Sequence, residues 1–136
     1  CKAVAEISVR LRKKIILGNL DAKRDFVYAK EYVEWIWYIM QHPTPDDFVI
    51  ATEETHSVKE FVIEAFRHIG IDDWESYIEY DPKFMRPAEV DLLIGDASKS
   101  KRILGFEAKV KFPELVKIMM EYELKQLVKT DKLLNY

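Results

Sequence analysis

The run Leu17-Gly18-Asn19-Leu20-Asp21-Ala22-Lys23-Arg24-Asp25-Phe26 sets two cations side by side between a β-like segment and a helical pattern. A loop so placed can meet a diphosphate: the guanidinium offers bidentate hydrogen bonds and the ammonium adds a point charge. The same residues also suit an exposed turn in which Lys23 and Arg24 pair with Asp21 and Asp25. A second polar run is Met85-Arg86-Pro87-Ala88-Glu89-Val90-Asp91. Pro87 keeps Arg86 out of the helical region, so Arg86, Glu89 and Asp91 project from a stiffened loop. A guanine base shows adjacent N–H donors and a carbonyl acceptor, which a carboxylate or an arginine can read. The alternative is a local Arg86–Glu89 pair, worth under about 1 kcal/mol if exposed.

Other chemistries are excluded by what is missing. The glycines Gly18, Gly70, Gly95 and Gly105 are too far apart for a phosphate-cradling loop such as GxGxxG or GxxxxGK. None of the tyrosines 28, 32, 38, 77, 80, 122 and 136 has a lysine four positions on, so the Tyr-x-x-x-Lys pair with which many nicotinamide enzymes hold a tyrosinate base is absent. His42, His56 and His68 stand alone, without a second ligand at short spacing, which argues against zinc. The one cysteine, Cys1, allows no disulfide within the chain and fits a reducing compartment. No pair of carboxylates stands out in a setting that would desolvate it.

These residues need elements to position them. Val4, Ile7 and Leu11 recur at helical spacing, with Arg10, Arg12, Lys13 and Lys14 expected in the last turn, where positive charge suits the helix dipole. Ile15-Ile16-Leu17 is β-like. Tyr28 to Met40 reads as a helix with Tyr32, Val33, Ile36, Trp37 and Met40 on one apolar stripe, ended by His42-Pro43-Thr44-Pro45. Phe48-Val49-Ile50-Ala51 reads as a strand buried on both faces. Ser57 and Glu60 have capping-box spacing ahead of a helix whose core face is Val58, Phe61, Val62, Ala65, Phe66 and Ile69, with Gly70 as its stop. Tyr77 to Tyr80 is a candidate strand. Asp96 caps a short helix through Ile103, stopped by Gly105, and Pro113 starts a last helix with Leu115, Met119, Tyr122 and Leu127 among its apolar positions. The alternation predicts an α/β fold.

Bulk properties agree with one packed domain over residues 1–136. The chain is 49% hydrophobic and 33% charged, with 21 basic and 24 acidic residues and a net charge of -3, so no global basic field points to nucleic acid. No apolar run approaches the roughly 18 residues a membrane span needs, and no signal-peptide h-region opens the chain; the expected location is cytoplasmic. The chain begins without Met inside a helix-like pattern and reads as a piece of something longer.

Taken together and in order, the runs LGNLDAKRDF, FVIATEETHSVKEF, GIDDWESY and FMRPAEVDLLIGDASKSK, then LGF and ELV, resemble GDP-mannose 4,6-dehydratases, extended short-chain dehydrogenase/reductases that act on nucleotide sugars. The resemblance runs from Ala3 to about Leu127. It implies the small C-terminal substrate lobe of such an enzyme with one or two strands of its Rossmann sheet, the cofactor-binding half lying upstream. It implies that Arg24 and Arg86 contact the diphosphate and that Asn19, Lys23 and Glu89 line the nucleotide pocket. Glu53 stands where the family usually has Gly, and Phe26-Val27-Tyr28 where it usually has Trp-Gly-His. In the full-length family, NADP oxidises C4 of the mannosyl unit, water leaves across C5–C6, and hydride returns at C6 to give GDP-4-keto-6-deoxymannose. The resemblance therefore implies a GDP-mannose- or GDP-binding fragment that is inactive alone and contains no cofactor site, partnered by the missing N-terminal Rossmann half or by a self-associating copy. The alternatives are a stand-alone or split-chain nucleotide-sugar binding module, and a domain that folds but binds nothing.

Overall fold

Val4, Ala5 and Ile7 form the buried side of α1, Lys2–Ser8, in a computed structural model that describes residues 1–84, 90 and 92–134, the last five by backbone alone. The helix stops sooner than its apolar spacing suggests. The chain turns through Arg10 at φ 61°, a left-handed conformation that costs a non-glycine residue roughly 1–2 kcal/mol, and Leu11 is left 73% exposed beyond it. The basic cluster consequently lies outside the last helical turn. Arg12 pairs with Glu6 at 2.6 Å and Lys14 with Glu79 at 3.9 Å.

Ile15–Leu17 is β1, and it runs parallel to β4, Ile78–Tyr80, with Ile15 opposite Ile78 and Leu17 opposite Tyr80. Parallel pairing needs a long crossover, and here the intervening chain supplies it. Gly18 ends β1 where a Cβ would collide with the backbone carbonyl of Phe84. A second pair, antiparallel, joins β2, Lys23–Arg24, to β3, His56–Ser57.

β3 leads directly into α3, Val58–His68. Its capping box is complete: the Ser57 hydroxyl accepts from the Glu60 N–H and the Glu60 carboxylate accepts from the Ser57 N–H, both at 3.0 Å. Such a cap contributes about 1 kcal/mol. Val62, Ala65 and Phe66 face inward as the 3.6-residue period requires, and Gly70 turns the chain at φ 73°. α5, Phe112–Leu134, packs against both α1 and α3. The main core is Val4, Ala5, Ile7, Val62, Ala65, Phe66, Ile78, Phe112, Val116 and Met120. Fully burying a side chain the size of Phe66 contributes roughly 1.5–3 kcal/mol. On α5, Leu115, Val116 and Met120 are buried and Leu127 packs inward, while Met119 and Tyr122 are exposed. Apolar residues on both sides of this helix make the stripe ambiguous from spacing alone.

A smaller core holds Ile50, Ala51, Ala97, Phe106 and Ala108, covered by Trp35 and Ile39. Trp35 meets Phe106 edge-on with ring centroids 5.2 Å apart. Trp35 and Ile39 belong to α2, Ala29–Gln41, and neither lies on the stripe that the four-residue spacing marks. Val33, Ile36, Trp37 and Met40 are 67%, 46%, 57% and 75% exposed, and no residue of α2 is fully buried. The helix touches the core through its narrower side, so its wider apolar stripe faces outward. Phe48–Ala51 differs from expectation. Ile50 and Ala51 are buried, but Val49 is half exposed and the segment joins no strand among the described residues.

Instead, hydrogen bonds tie this segment to α4, Ser98–Leu104, which ends at Gly105 with φ 69°. Lys99 reaches Asp46 at 2.6 Å, Ser100 donates to the Val49 carbonyl at 2.5 Å, and Lys101 pairs with Glu53. Asp96 receives the Ser98 N–H at 2.9 Å, one residue ahead of the assigned cap, Ala97. Three of these carboxyls are held below their ordinary range, each chiefly by a side-chain hydrogen bond: Asp46 by Lys99, Glu53 by Lys101 and Asp96 by Ser98. A depressed native pKa gives stability that is present above the unfolded pKa and lost as pH falls through the native one. Melting temperature should accordingly hold between pH ~7 and ~5 and fall as the solution is acidified below about pH 4.5. Thermal melts across that range check this, and a profile flat down to pH ~3 would contradict it.

Candidate functional site

β2 and the turn before it carry the first polar run. Asn19 closes that turn, its side-chain oxygen accepting from the Asp21 N–H at 2.9 Å, a local bond for which asparagine is suited. Leu20 and Ala22 are buried and pin the loop beside α3, their carbonyls accepting from Lys59 at 2.8 Å and Val58 at 3.2 Å. The loop is therefore held rigidly from behind, while Lys23 is exposed and Arg24 half-buried.

Alternation along the strand sorts the next residues to two sides. Asp25 turns to residues 52–53, where its carboxylate accepts from the Thr52 hydroxyl at 2.5 Å and from the Thr52 and Glu53 N–H groups at 3.1 Å. The Asp25 carboxylate is taken up by these backbone and hydroxyl donors. Glu53 sits at φ 61°, which explains why glycine suits that position; Lys101 and the Ala97 N–H, the latter at 3.1 Å, hold its carboxylate. Glu54 pairs with Lys111 at 2.6 Å.

Phe26 turns to the opposite side and packs against Phe61 and Phe112, with centroids 5.3 and 5.8 Å away. The Arg24 guanidinium donates to the carbonyls of Lys23 and Val90, both at 2.7 Å. The Leu93 N–H donates to the Lys23 carbonyl at 3.2 Å, and Lys23 bridges Leu92 in parallel. These bonds bring the first polar run against the chain that leaves the second. Arg86, Pro87, Glu89 and Asp91 themselves lie outside the described residues.

Spacing did not single out Thr52 or His56, yet both contribute to this arrangement. His56 lies opposite Arg24 in the β2–β3 pair. His56 immediately precedes the capping Ser57, and its register with the incoming strand follows only once that strand is known. A cavity of about 390 Å³ shares Thr52 with this arrangement and is lined also by Lys101, Phe106, Ala108 and Lys111. Its two lysines are paired with Glu53 and Glu54. No group of three or more His, Cys, Asp or Glu among the described residues is arranged to hold a metal, and no helix among them is long and apolar enough to cross a membrane.

The family model for GDP-mannose 4,6 dehydratase matches residues 1–119. The chain is 47% identical to GDP-mannose 4,6 dehydratase 2 of Arabidopsis thaliana over 133 residues, covering 98% of this chain and 35% of that protein. It is 41% identical to the GDP-mannose 4,6 dehydratase of Homo sapiens over 146 residues, covering 96% of this chain and 39% of that one. It thus spans well under half the length of these relatives. Among solved structures, it superposes on RMD from Pseudomonas aeruginosa complexed with NADPH with a TM-score of 0.80 at 14% identity, covering 92% of this chain and 41% of that one. Against the UDP-glucose 4-epimerase of Thermotoga maritima with UDP-glucose, the TM-score is 0.71 at 28% identity, covering 91% of this chain and 38% of that one. The α/β fold expected from the sequence is the fold these proteins share.

Proposed function

The chain belongs to the GDP-mannose 4,6-dehydratase family, and from that footing we propose that it is the part of such an enzyme that holds the guanosine diphosphate end of GDP-mannose. The observation that carries the reading is the Arg24 guanidinium, fixed at 2.7 Å to the Val90 carbonyl and so lodged between the two polar runs. A preorganised guanidinium loses little freedom when it binds a diphosphate. Lys23, exposed beside it, adds charge without a fixed geometry. Asn19 shapes the turn beneath the pocket. Arg86 would meet the diphosphate from the second run, and Glu89 would read the base.

Chemistry on the sugar would fall to the rest of the parent enzyme, where NADP takes and returns a hydride. The residues present here do not fit that cofactor. Gly18 and Gly95 are consumed by close contacts with Phe84 and Ala51, and Gly70 and Gly105 terminate helices, so none is left to cradle a dinucleotide phosphate. This part contributes binding and orientation of the substrate in a cytoplasmic enzyme. A stand-alone or split-chain nucleotide-sugar module would use the same residues.

Calorimetric titration with GDP-mannose, GDP and UDP-glucose tests the reading. Saturable binding of the two guanine ligands, tighter than UDP-glucose, is expected; no heat from either guanine ligand contradicts it. The outward stripe of α2 also needs a cover, whether the missing Rossmann half or a second copy. Contiguous apolar surface of this kind drives association in isolation, so the purified chain should self-associate. Sedimentation at high micromolar concentration checks this, and a strictly monomeric species would contradict it.

A further inference from the structure

The Asp25 carboxylate gathers three donors from a single turn. Its Oδ1 accepts from the Thr52 hydroxyl at 2.5 Å, its Oδ2 from the Glu53 N–H at 3.1 Å, and the Thr52 N–H lies 3.1 Å from both. The Thr52 hydroxyl in turn accepts from the Glu54 N–H at 3.3 Å. Thr52 is 8% exposed, and Glu53 stands at φ 61°, a conformation that persists only where neighbouring bonds hold it. From this turn the chain runs into β3, whose His56 and Ser57 lie opposite Arg24 and Lys23. Asp25 follows that pair directly, so Arg24 stands between two fastenings, the cross-strand pair and the Asp25 carboxylate. Its guanidinium reaches the Val90 carbonyl at 2.7 Å from a strand fixed both before and after it.

We propose that Asp25 is a positioning residue for the diphosphate site, acting through Arg24: it holds the strand from which the guanidinium is aimed and so keeps that group preorganised for the anion. The role rests on the diphosphate lying against Arg24, as proposed above. A guanidinium that is correctly aimed for only part of the time binds with an affinity reduced by that fraction. A carboxylate can therefore change binding without contact to the ligand. Asparagine is no substitute for it. Both Asp25 oxygens accept, whereas an amide has one acceptor oxygen, and in either orientation its NH2 faces a donor from the turn. The other reading of Asp25 is a general tie of the fold, and the two differ in whether Arg24 is needed for the effect.

A double-mutant cycle on GDP affinity, measured by calorimetry, separates them. Asp25→Asn should weaken GDP binding about fivefold in the wild-type chain, the competent orientation falling to roughly a fifth. In the Arg24→Ala background the same substitution should change affinity by less than about twofold. An equal factor in both backgrounds, or no loss in either, overturns the proposal and leaves the Arg24 site standing. Equal affinity in wild type and Arg24→Ala, or no GDP binding to the wild type, removes the Arg24 reading and this one together. Where the double variant binds too weakly to fit, the Arg24 guanidinium resonances of the ligand-free chain decide. Asp25→Asn should move them toward the position of freely rotating arginines, and unmoved resonances overturn the proposal. Melting temperature checks that the variants fold. If Asp25→Asn does not, Thr52→Val replaces it in the same cycle. It removes the hydroxyl donor, keeps the side chain's shape, and should weaken GDP binding about threefold, again only with Arg24 present.

Discussion

The purified chain, given GDP-mannose and NADP, should form no 4-keto product above a mock preparation. Dehydration across C5–C6 needs a hydride acceptor at C4 and a positioned acid–base group, which by itself supplies about 10²–10⁴-fold. None of the seven tyrosines stands four residues before a lysine. All four glycines serve turns or close packing. The expected loss is complete rather than partial. Product formation proportional to the amount of this chain would require a catalytic group on it that the arrangement around Arg24 does not contain.

Arg24→Ala should weaken GDP binding by roughly tenfold or more, since a charge-assisted hydrogen bond contributes about 1.5–3 kcal/mol. The guanidinium also joins residues 23 and 90 through its two 2.7 Å bonds, so truncation removes both the charge and the clasp between the polar runs. Lys23→Ala should cost less, because an exposed ammonium on a flexible stem is less preorganised. Titrating GDP into wild type and both variants measures the difference. Equal affinity in wild type and Arg24→Ala would remove Arg24 from the site, and a larger loss at Lys23 would reverse the assigned roles.

Much of the scaffold was legible because its signals are local. The Ser57–Glu60 spacing fixes a capping box whatever surrounds it, and Gly70 and Gly105 adopt positive φ where a helix must stop. Ile15–Leu17 and Ile78–Tyr80 read as strands from their apolar, β-branched and aromatic content, although their parallel pairing could not be read. Which face of a helix is buried was not legible. In α2 and α5, apolar residues lie on more than one side, and tertiary contacts with Phe106 and with α1 and α3 decided which side is buried. Phe48–Ala51 has the composition of a central strand, yet its carbonyls and flanking carboxylates bond to α4. In the site, the cationic pair was visible in the spacing of the first run. The partners of Asp25 were not, because Thr52 is 27 residues away in sequence and comes close only when β2 and β3 pair. His56 was passed over for the same reason: a lone histidine acquires a neighbour in Arg24 only through the register.

The central claim is that a guanosine diphosphate sugar sits against β2, between the turn at Asn19 and the segment at Val90. Amide-resolved magnetic resonance of the labelled chain during a GDP-mannose titration tests it most directly. Shifts concentrated at residues 19–24, at His56 and at 90–93, saturating together, are the expected result. Saturable shifts confined to other residues, or none at any ligand concentration, would contradict it.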